Sequence, residues 1–261
     1  MAQNLFLKIC AKLIRYLNKI ILSEDFISRH RRSPKDFIRE RLLTFHTMIF
    51  FLMNMIKGSL QDELDYFFKA VHAEDVPVRT VTKGAFTRAR KKLHYQAFSE
   101  LGRNLVSFFY HHFSCRNWKD FRILAIDGST AKVPRTKAVA DHFGAWNPAK
   151  GEACPIARIS HLFDVLNCIV VDAIISPKKQ GERSLAAGHT QHLKSDDLVL
   201  LDRGYPAFWL FVMILSRQAN FCSRIIGTHW KEIRKFYNSG ENERIITLHP
   251  SPSSIVQCNN A

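Results

Sequence analysis

Two aspartates that follow apolar runs are the residues of this sequence best suited to metal-dependent chemistry. Asp127 closes the run ILAID and Asp202 closes LVLLD, and residues that turn the chain follow each of them. Neighbouring strands that finish at the same edge of an open sheet bring their terminal side chains together. Two ionised carboxylates at close range repel each other unless one is protonated or a cation binds them. With oxygen ligands and no cysteine nearby, the pair favours Mg²⁺, or Mn²⁺ as a substitute.

Such a pair would support phosphoryl transfer. Two divalent ions about 4 Å apart activate an attacking water or hydroxyl and stabilise the leaving oxygen of a phosphodiester. An aspartate that closes a strand is, taken alone, most often a turn former, so each residue also has a purely structural interpretation. The metal interpretation therefore depends on both strands lying in one sheet.

The segments that would position this pair follow Asn117, where strand and helix patterns alternate. The predicted strands cover 121–126, 157–165, 168–175, 197–201 and 221–225, and the predicted helices cover 182–193 and 206–217. Leu166 and Asn167 form a predicted hairpin turn between the second and third strands. This order predicts an α/β (α+β) fold, with a mixed sheet that carries helices on its faces.

Residues 1–115 read as helical and basic. Helices are predicted within 42–56, over 60–71, from Thr82 onward and over 96–112. The segment 79–92 has six basic residues and no acidic one, and a helix, a break and a basic helix are the outline of a helix-turn-helix DNA reader. A solvated basic helix face is the alternative. We predict DNA contacts for five residues of this segment: Lys83, Arg88, Arg90, Lys91 and Lys92.

The composition agrees with a nucleic-acid partner. The formal net charge is +15, from 38 lysines and arginines against 23 acidic residues, and most of the excess lies before residue 122. Phosphates attract such a surplus because their neutralisation releases counterions. The six cysteines are scattered without a C-x-x-C pair, which disfavours structural zinc and suggests reduced thiols in a cytosol. Charges interrupt every apolar run of the first 22 residues, so neither a signal peptide nor a membrane partner is predicted.

Five motifs carry a family resemblance that covers about residues 42–250: FTRARKKL (86–93), ILAIDGST (123–130), ARISHLFDVLN (157–167), ERSLAAGH (182–189) and LLDRGYPAFWLF (200–211). On these motifs the chain resembles the DDE transposases of bacterial insertion sequences, in the IS-four family. The D-R-G-Y-P run with its apolar flanks is the most specific of the five.

The resemblance implies a ribonuclease-H-like catalytic core and a helical DNA-binding region, with Mg²⁺-dependent cutting and joining of DNA at the element's terminal inverted repeats. Asp127 and Asp202 match the family's first two catalytic carboxylates, and Arg203 and Tyr205 match its D-R-G-Y. Arg203 is expected to pair with the carboxylates or take a DNA phosphate. The implied partners are double-stranded DNA and a second transposase chain, as a homodimer or with a full-length protein, at the bacterial nucleoid in the cytoplasm.

The family's third carboxylate, a Glu within Y-x2-R-x3-E-x6-K, has no match in this sequence. We therefore expect three regions: a DNA-binding region at 1–115, a partial catalytic core at 116–250 and an irregular tail at 251–261. The expected chain is a truncated or frameshifted product that binds DNA without cleaving it. Glu182 and Glu232 are conceivable replacements, although a surface helix charge is favoured for both. The alternatives are a non-catalytic DNA-binding protein that regulates transposition and a product that does not fold.

Overall fold

A computed structural model describes residues 2–39, 41–54, 57–146 and 152–259, with side chains from residue 7 onward. The chain divides into two compact units, 1–113 and 114–261. Each unit has its own core. No helix in the described ranges is both long and apolar enough to cross a membrane.

The first unit is helical, as the apolar periodicity predicts. Its helices are α1 Ala2–Ile21, α2 Glu24–His30, α3 Phe45–Met53, α4 Leu60–His72, α5 Lys83–Arg90 and α6 Gln96–His112. The side chains of Ser23, Thr44 and Thr82 each accept a hydrogen bond from the first turn of the helix that follows, which satisfies an N–H left unpaired by helix geometry. Buried phenylalanines dominate the packing of the unit: Phe26, Phe45, Phe51, Phe68 and Phe86.

The second unit alternates strands and helices. Its elements are β1 Arg122–Lys132, α7 Lys137–Phe143, β2 Ala145–Trp146, β3 Cys154–Asp164, β4 Ile169–Pro177, α8 Glu182–His189, β5 Asp197–Leu201, α9 Phe208–Ser216, β6 Asn220–Ser223, α10 Lys231–Ser239 and α11 Pro252–Asn259. A 3-10 turn, Thr190–His192, extends α8. The small elements α7 and β2 were not among the predicted ones.

The sheet is mixed, in the order β2-β3-β1-β5-β6, with β4 paired to β3. Strands β1, β3 and β4 are antiparallel, whereas β1, β5 and β6 are parallel, and α8 and α9 connect the parallel strands. Leu124, Ile126 and Leu201 of the sheet share a buried cluster with Ala186 of α8 and Leu210 of α9. The predicted α/β class is confirmed, because the sheet is mixed and helices pack against it.

Two expectations need correction. Strand β1 does not end at Asp127: it continues to Lys132, because its pairing with β3 extends that far. The tail predicted as irregular contains α11, which lies against α9. Pro252 is the first residue of α11, and the Oγ of Ser251 accepts a hydrogen bond from the N–H of Ser254. Serine followed by proline is a helix-start pattern, so the sequence did carry a signal for this helix.

Candidate functional site

The parallel register of β1 and β5 places the two aspartates side by side. Ile126 and Leu201 form the last aligned pair, and Asp127 and Asp202 are the residues that follow them. Both side chains are exposed, although the strand residues immediately before them are buried. The register therefore places the two aspartates at neighbouring positions of β1 and β5, although β1 continues past Asp127.

A buried ion pair at the other end of these strands fixes the register. Arg122 Nε donates to Asp197 Oδ1 at 2.6 Å and Arg122 Nη2 donates to Asp197 Oδ2 at 2.7 Å. The backbone N–H of Lys194 also donates to Asp197 Oδ2, at 2.7 Å. Two parallel hydrogen bonds between a guanidinium and a carboxylate tolerate little sliding of one strand against the other. Arg122 and Asp197 are also register partners in the ladder.

The contacts of the two aspartates leave their carboxylates largely free for a ligand. Asp127 Oδ1 accepts a hydrogen bond from the N–H of Gly128 at 2.8 Å. Asp202 Oδ1 lies 3.5 Å from Nη1 of Arg224, and both side chains of this pair are more than 60% exposed. An ion pair so exposed and so long contributes little free energy, so Asp202 can exchange it for a cation at small cost.

Gly128 allows two further side chains to approach this end of the sheet. A Cβ atom at position 128 would lie 3.3 Å from Cγ of Glu182 and 3.3 Å from the hydroxyl oxygen of Tyr205. At Gly204 a Cβ would lie 3.7 Å from Oε2 of Glu182. Glu182 thus lies against the residue after Asp127 and close to the turn after Asp202. A Cβ at position 128 would be tighter than an ordinary contact, so one of these side chains would have to shift by a few tenths of an ångström.

Tyr205 lies beneath the site with its hydroxyl buried. The residue is 3% exposed, and its hydroxyl makes no hydrogen bond to any residue that the structure describes. Burial, followed by the negative charges of Glu182 and Asp127, raises the pKa of Tyr205 to about 12. Asp202 acts in the same direction. Burial and three carboxylates therefore all disfavour ionisation of this phenol.

Two arginines hold α8 in place at the site. Nη1 of Arg158, on β3, lies 2.9 Å from Oε1 of Glu182, the first residue of α8. Nε of Arg183 donates to the carbonyl oxygen of Gly204 at 2.8 Å. The start of α8 is therefore tied both to the sheet and to the turn that follows Asp202.

Glu182 is the site residue whose importance the sequence pattern understates. Its favoured interpretation is a surface helix charge, and the structure shows an exposed side chain at the start of α8 that also lies against Gly128 and near Gly204. The usable signal was its place at the start of the helix that connects the two aspartate strands. Glu232 is different: it lies in the first turn of α10 and has no contact with either aspartate within the described part of the chain.

The donor chemistry of the site suits a hard divalent cation, since its side-chain ligands are carboxylate oxygens. Within the described residues, however, no group of three or more histidine, cysteine, aspartate or glutamate side chains stands close enough together to hold a metal ion. The fit therefore rests on two adjacent carboxylates and on the neighbouring glutamate, whose carboxylate is engaged by Arg158.

Arg203 lines a cavity beside the site. The cavity has a volume of about 430 Å³, and Arg224 and Tyr237 also line it. Tyr237 is 73% exposed, and Arg203 is exposed as well. Two guanidiniums and an exposed ring next to Asp202 form a cationic surface that can take a phosphate.

The predicted DNA-contact residues lie on and just after α5 of the first unit. All five are exposed: Lys83, Arg88, Arg90, Lys91 and Lys92. Lys92 forms an ion pair with Asp36 at 3.1 Å, whereas the other four form no ion pair with a described residue. Phe86 and Leu93 are buried, which turns the basic side chains outward.

The connection from α4 to α5 is long for a helix-turn-helix. It runs from Ala73 to Thr82 and exceeds the three or four residues of a typical helix-turn-helix. The side chain of Gln61 on α4 compensates: its amide donates to the carbonyl of Val81, and its oxygen accepts from the N–H of Lys83, both at 2.9 Å. The start of α5 is therefore fixed against α4 despite the long connection.

Residues 118–258 match the family model described as "Transposase DDE domain". A curated relative named "Putative transposase InsZ", from Escherichia coli strain K12, is 23% identical over 116 residues, which is 44% of this chain and 36% of the relative. The chain thus spans about a third of the length of that relative. A cryo-EM structure of a piggyBac transposase synaptic complex with hairpin DNA aligns with a TM-score of 0.46 and 12% identity, over 88% of this chain and 54% of the other.

Proposed function

Because the chain belongs to the transposase DDE domain family, we propose that it acts in DNA transposition at the ends of an insertion sequence. The proposed activity is Mg²⁺-dependent cleavage and strand transfer of DNA, with Mn²⁺ as a substitute ion. The observation that carries this proposal is the parallel register that places Asp127 beside Asp202. Paired carboxylates at the ends of neighbouring strands are the starting point of a metal-dependent phosphodiester site.

In this proposal the two aspartates hold the divalent ion through their exposed oxygens. A bound ion would activate the attacking water or hydroxyl and stabilise the leaving oxygen. The cationic side chains of Arg203 and Arg224 hold the phosphate of the scissile strand next to Asp202, where they line a common cavity. The buried ring of Tyr205 excludes water from the floor of the site.

The first unit supplies DNA binding in this proposal. The exposed basic side chains of α5 that lack an ion pair contact phosphates, and Arg203 adds a contact near the reacting strand. The partner is double-stranded DNA, both the element's ends and the target, and a second transposase chain would bridge the two ends. This assignment is supported by the outward-facing charges of α5 and by the charge excess of the N-terminal half.

A second candidate function is a DNA-binding protein that regulates transposition without catalysing it. It is favoured by one observation: within the described residues, no group of three or more histidine, cysteine, aspartate or glutamate side chains stands close enough together to hold a metal ion. A catalytic group that lacks one of its cooperating members is slower by several orders of magnitude. Both candidates use the same DNA-binding surface, so only the chemistry separates them.

Mn²⁺ binding and DNA processing by the full chain test the proposal together. The variants are Asp127→Asn and Asp202→Asn, with Asp141→Asn as the control, because Asp141 is an exposed aspartate of α7. We expect each site variant to weaken Mn²⁺ binding about 10- to 100-fold and the control to bind as the wild type does. Equal Mn²⁺ affinity in all four proteins would contradict the proposed site.

The DNA arm uses a duplex that carries the element's end. Metal-dependent cleavage or strand transfer that is absent in Asp127→Asn supports the enzyme. Retention of the duplex without cleavage, in the presence of Mg²⁺ or Mn²⁺, supports the regulator. A chain that neither retains nor cleaves the duplex at low salt would contradict both candidates.

A further inference from the structure

Two cavities of the first unit adjoin each other beside α5. The larger has a volume of about 1070 Å³ and lies between the segment 41–44 and α5, and the smaller, of about 530 Å³, lies along the segment 35–43. Arg41, Leu43 and Lys92 line both, so the two cavities form one basic hollow. Sites for small molecules occupy about 300–1,000 Å³ in proteins, so the basic hollow has room for a ligand of that size.

Basic side chains line the basic hollow from both of its cavities: Lys35, Arg39, Arg41, Arg88 and Lys92. Within the described residues, no acidic side chain lines either cavity. Lys92 forms an ion pair with Asp36 at 3.1 Å, whereas the other four form no ion pair with a described residue. Cations that line a concave surface concentrate anions there, because the surrounding protein focuses their field. The charges of the basic hollow therefore favour a ligand that carries several negative charges.

The walls between these cations are apolar. Val81, Ala85 and Ala89 line the larger cavity, and Phe37 and Ile38 line the smaller one. Apolar surface next to a few charged groups is typical of sites that bind a ring system with a charged substituent. A nucleotide has this composition, since its base can pack against aliphatic side chains while its phosphates contact guanidinium groups.

We propose that the basic hollow binds a free nucleoside triphosphate. The phosphates lie between Arg41 and Arg88, which line the larger cavity and form no ion pair with a described residue. The base lies against the aliphatic wall that Val81 forms with the alanines of α5. This inference goes beyond the proposed function, because it adds a small-molecule site to the unit that does not contain the two aspartates.

A bound nucleotide would also regulate DNA binding, and this part of the inference rests on the proposed function. Arg88 and Lys92 line the basic hollow and belong to the predicted DNA-contact residues as well. A triphosphate bound there neutralises these side chains, so fewer cations remain to displace counterions from DNA. We expect the nucleotide to weaken duplex binding while the exposed charges of Lys83, Arg90 and Lys91 stay available.

A DNA backbone and an acidic peptide are the competing occupants. Duplex DNA presents its phosphates outward and stacks its bases inside, so it would use the cations of the basic hollow and leave the apolar wall uncovered. A peptide of acidic side chains would use the same cations without a ring for that wall. Both competitors depend on charge alone, so the test must separate the charge of the cavity from its shape.

Isothermal titration calorimetry of the full chain with ATP measures the contribution of the charges. EDTA in the buffer removes divalent ions, so the candidate metal site takes no part. Arg41→Gln and Arg88→Gln should each weaken ATP binding about 10- to 100-fold, because each removes a charged hydrogen-bond donor. The control is Arg103→Gln, since Arg103 is an exposed arginine of α6 that also forms no ion pair with a described residue. It should bind ATP as the wild type does.

Ala89→Leu tests the shape of the cavity without changing its charge. The larger side chain occupies space in the larger cavity and should weaken ATP binding about tenfold or more, because the base would overpack there. Ala85→Leu fills the same cavity from one helical turn earlier and gives a second measurement. Tripolyphosphate lacks the base and should bind about tenfold more weakly than ATP. Circular dichroism and the thermal midpoint of each variant verify that it has folded.

Several outcomes would overturn the nucleotide site. A wild-type chain that does not bind ATP would do so directly, and unchanged affinity in Ala89→Leu and Ala85→Leu would locate the ligand on the outer charges. An equal loss in Arg103→Gln would mean unspecific attraction. Equal affinity for tripolyphosphate would remove the base from the site, and a polyglutamate peptide that binds as tightly as ATP would make an acidic peptide the occupant.

The regulation of DNA binding has its own test. Saturating ATP, again in EDTA, should weaken retention of duplex DNA by the wild type, and unchanged retention would refute the competition. Asp127→Asn should bind ATP as the wild type does, because Asp127 belongs to the other unit. Failure of the proposed metal site and failure of the nucleotide site are therefore distinguishable.

Discussion

Arg122 and Asp197 form a buried two-point ion pair across the first residues of β1 and β5, and the candidate carboxylates Asp127 and Asp202 stand at equal distances along the two strands. The side chains of the pair are 8% and 0% exposed. The ion pair is therefore a register clamp for the site at the other end of the strands. The ion pair has a structural role, and its position in the ladder makes Asp127 and Asp202 neighbours.

Breaking this register clamp should destabilise the second unit strongly. Arg122→Met leaves Asp197 as a buried charge without its main partner, and we expect a loss of about 3–5 kcal/mol in the free energy of unfolding. The double variant Arg122→Met with Asp197→Leu removes both charges and should lose much less. Urea unfolding measures both. Arg135→Gln is the control, because it removes an exposed ion pair and should change stability by less than about 1 kcal/mol. A double variant as unstable as the single one would contradict the clamp.

Adding a methyl group at Gly128 should disturb the site. The new Cβ would stand 3.3 Å from both Glu182 Cγ and the Tyr205 hydroxyl, which is tighter than an ordinary contact. We expect Gly128→Ala to destabilise the protein by about 1–3 kcal/mol, as overpacking does. Thermal or chemical unfolding measures this loss.

Gly102→Ala is the matched control for that substitution. Gly102 lies inside α6, and a Cβ there meets nothing within 4 Å. Alanine in a helix interior is favoured over glycine by about 0.5–1 kcal/mol, so this variant should be slightly more stable than the wild type. The same sign of change in both variants would mean that the space around Gly128 is not restricted.

The link between β4 and α8 should make stability depend on acidic pH. Nδ1 of His189 donates to Asp172 Oδ2 at 2.7 Å, and its Nε2 lies 3.0 Å from Oγ of Ser160. The hydrogen bond from His189 lowers the pKa of Asp172 below its ordinary value of 3.8. A depressed pKa means that the folded state favours the ionised carboxylate. Its contribution is therefore complete above the ordinary pKa and is lost as the pH falls through the lower folded value.

Asp172→Asn measures that contribution. We expect the variant to be less stable than the wild type at pH 5 by about 1–3 kcal/mol, because the buried His189 loses a charged acceptor. The gap should narrow as the pH falls below the ordinary pKa of 3.8, because the unfolded wild-type carboxylate binds a proton there whereas the folded one does so only at lower pH. Denaturant unfolding at these pH values is sufficient. A gap that stays constant or widens toward the acidic end would refute the assignment.

The basic surface of α5 should control the salt dependence of DNA binding. Replacing Lys83, Arg88, Arg90 and Lys91 with glutamine should weaken retention of duplex DNA regardless of its sequence. Each side chain that neutralises a phosphate in the wild type steepens the fall of log K with log salt concentration by about 0.9. Replacing that side chain should make the slope shallower by the same amount. Arg135→Gln is a control for a single charge outside this surface. An unchanged slope in the α5 variant would locate the DNA-binding surface elsewhere.

The sequence predicts best the elements whose signals are local. Helix α6 and strand β5 have the predicted bounds, and Thr82 caps α5 as its residue type suggests. The extension of β1 beyond Asp127 was not predictable in the same way, since it depends on pairing with β3, whose residues lie about thirty positions further along the chain.

The candidate site shows the same division. Asp127 and Asp202 are recognisable because each follows an apolar run. That they lie next to each other follows from the assumption that both strands belong to one sheet. In the sequence Glu182 has the pattern of a surface helix charge. Its position against Gly128 and Gly204 depends on the space that these glycines leave, which only the folded chain reveals. A glycine close to each aspartate does not by itself predict the position of Glu182. The helix that occupies the space beside these glycines is known only from the fold.

Because β1 continues past the end of β5, hydrogen bonds hold the backbone of Asp127 more firmly than that of Asp202. Asp127 stands inside a ladder that holds its backbone to β3 on both sides along the strand, from Leu124 to Lys132. Asp202 stands where the chain leaves the sheet and enters a turn. Amide hydrogen exchange should accordingly be slow around Asp127 and faster around Asp202. The backbone at Asp127 is therefore held more firmly than the backbone at Asp202, and under the proposed function this difference would let the separation of the two carboxylates adjust to a bound ion.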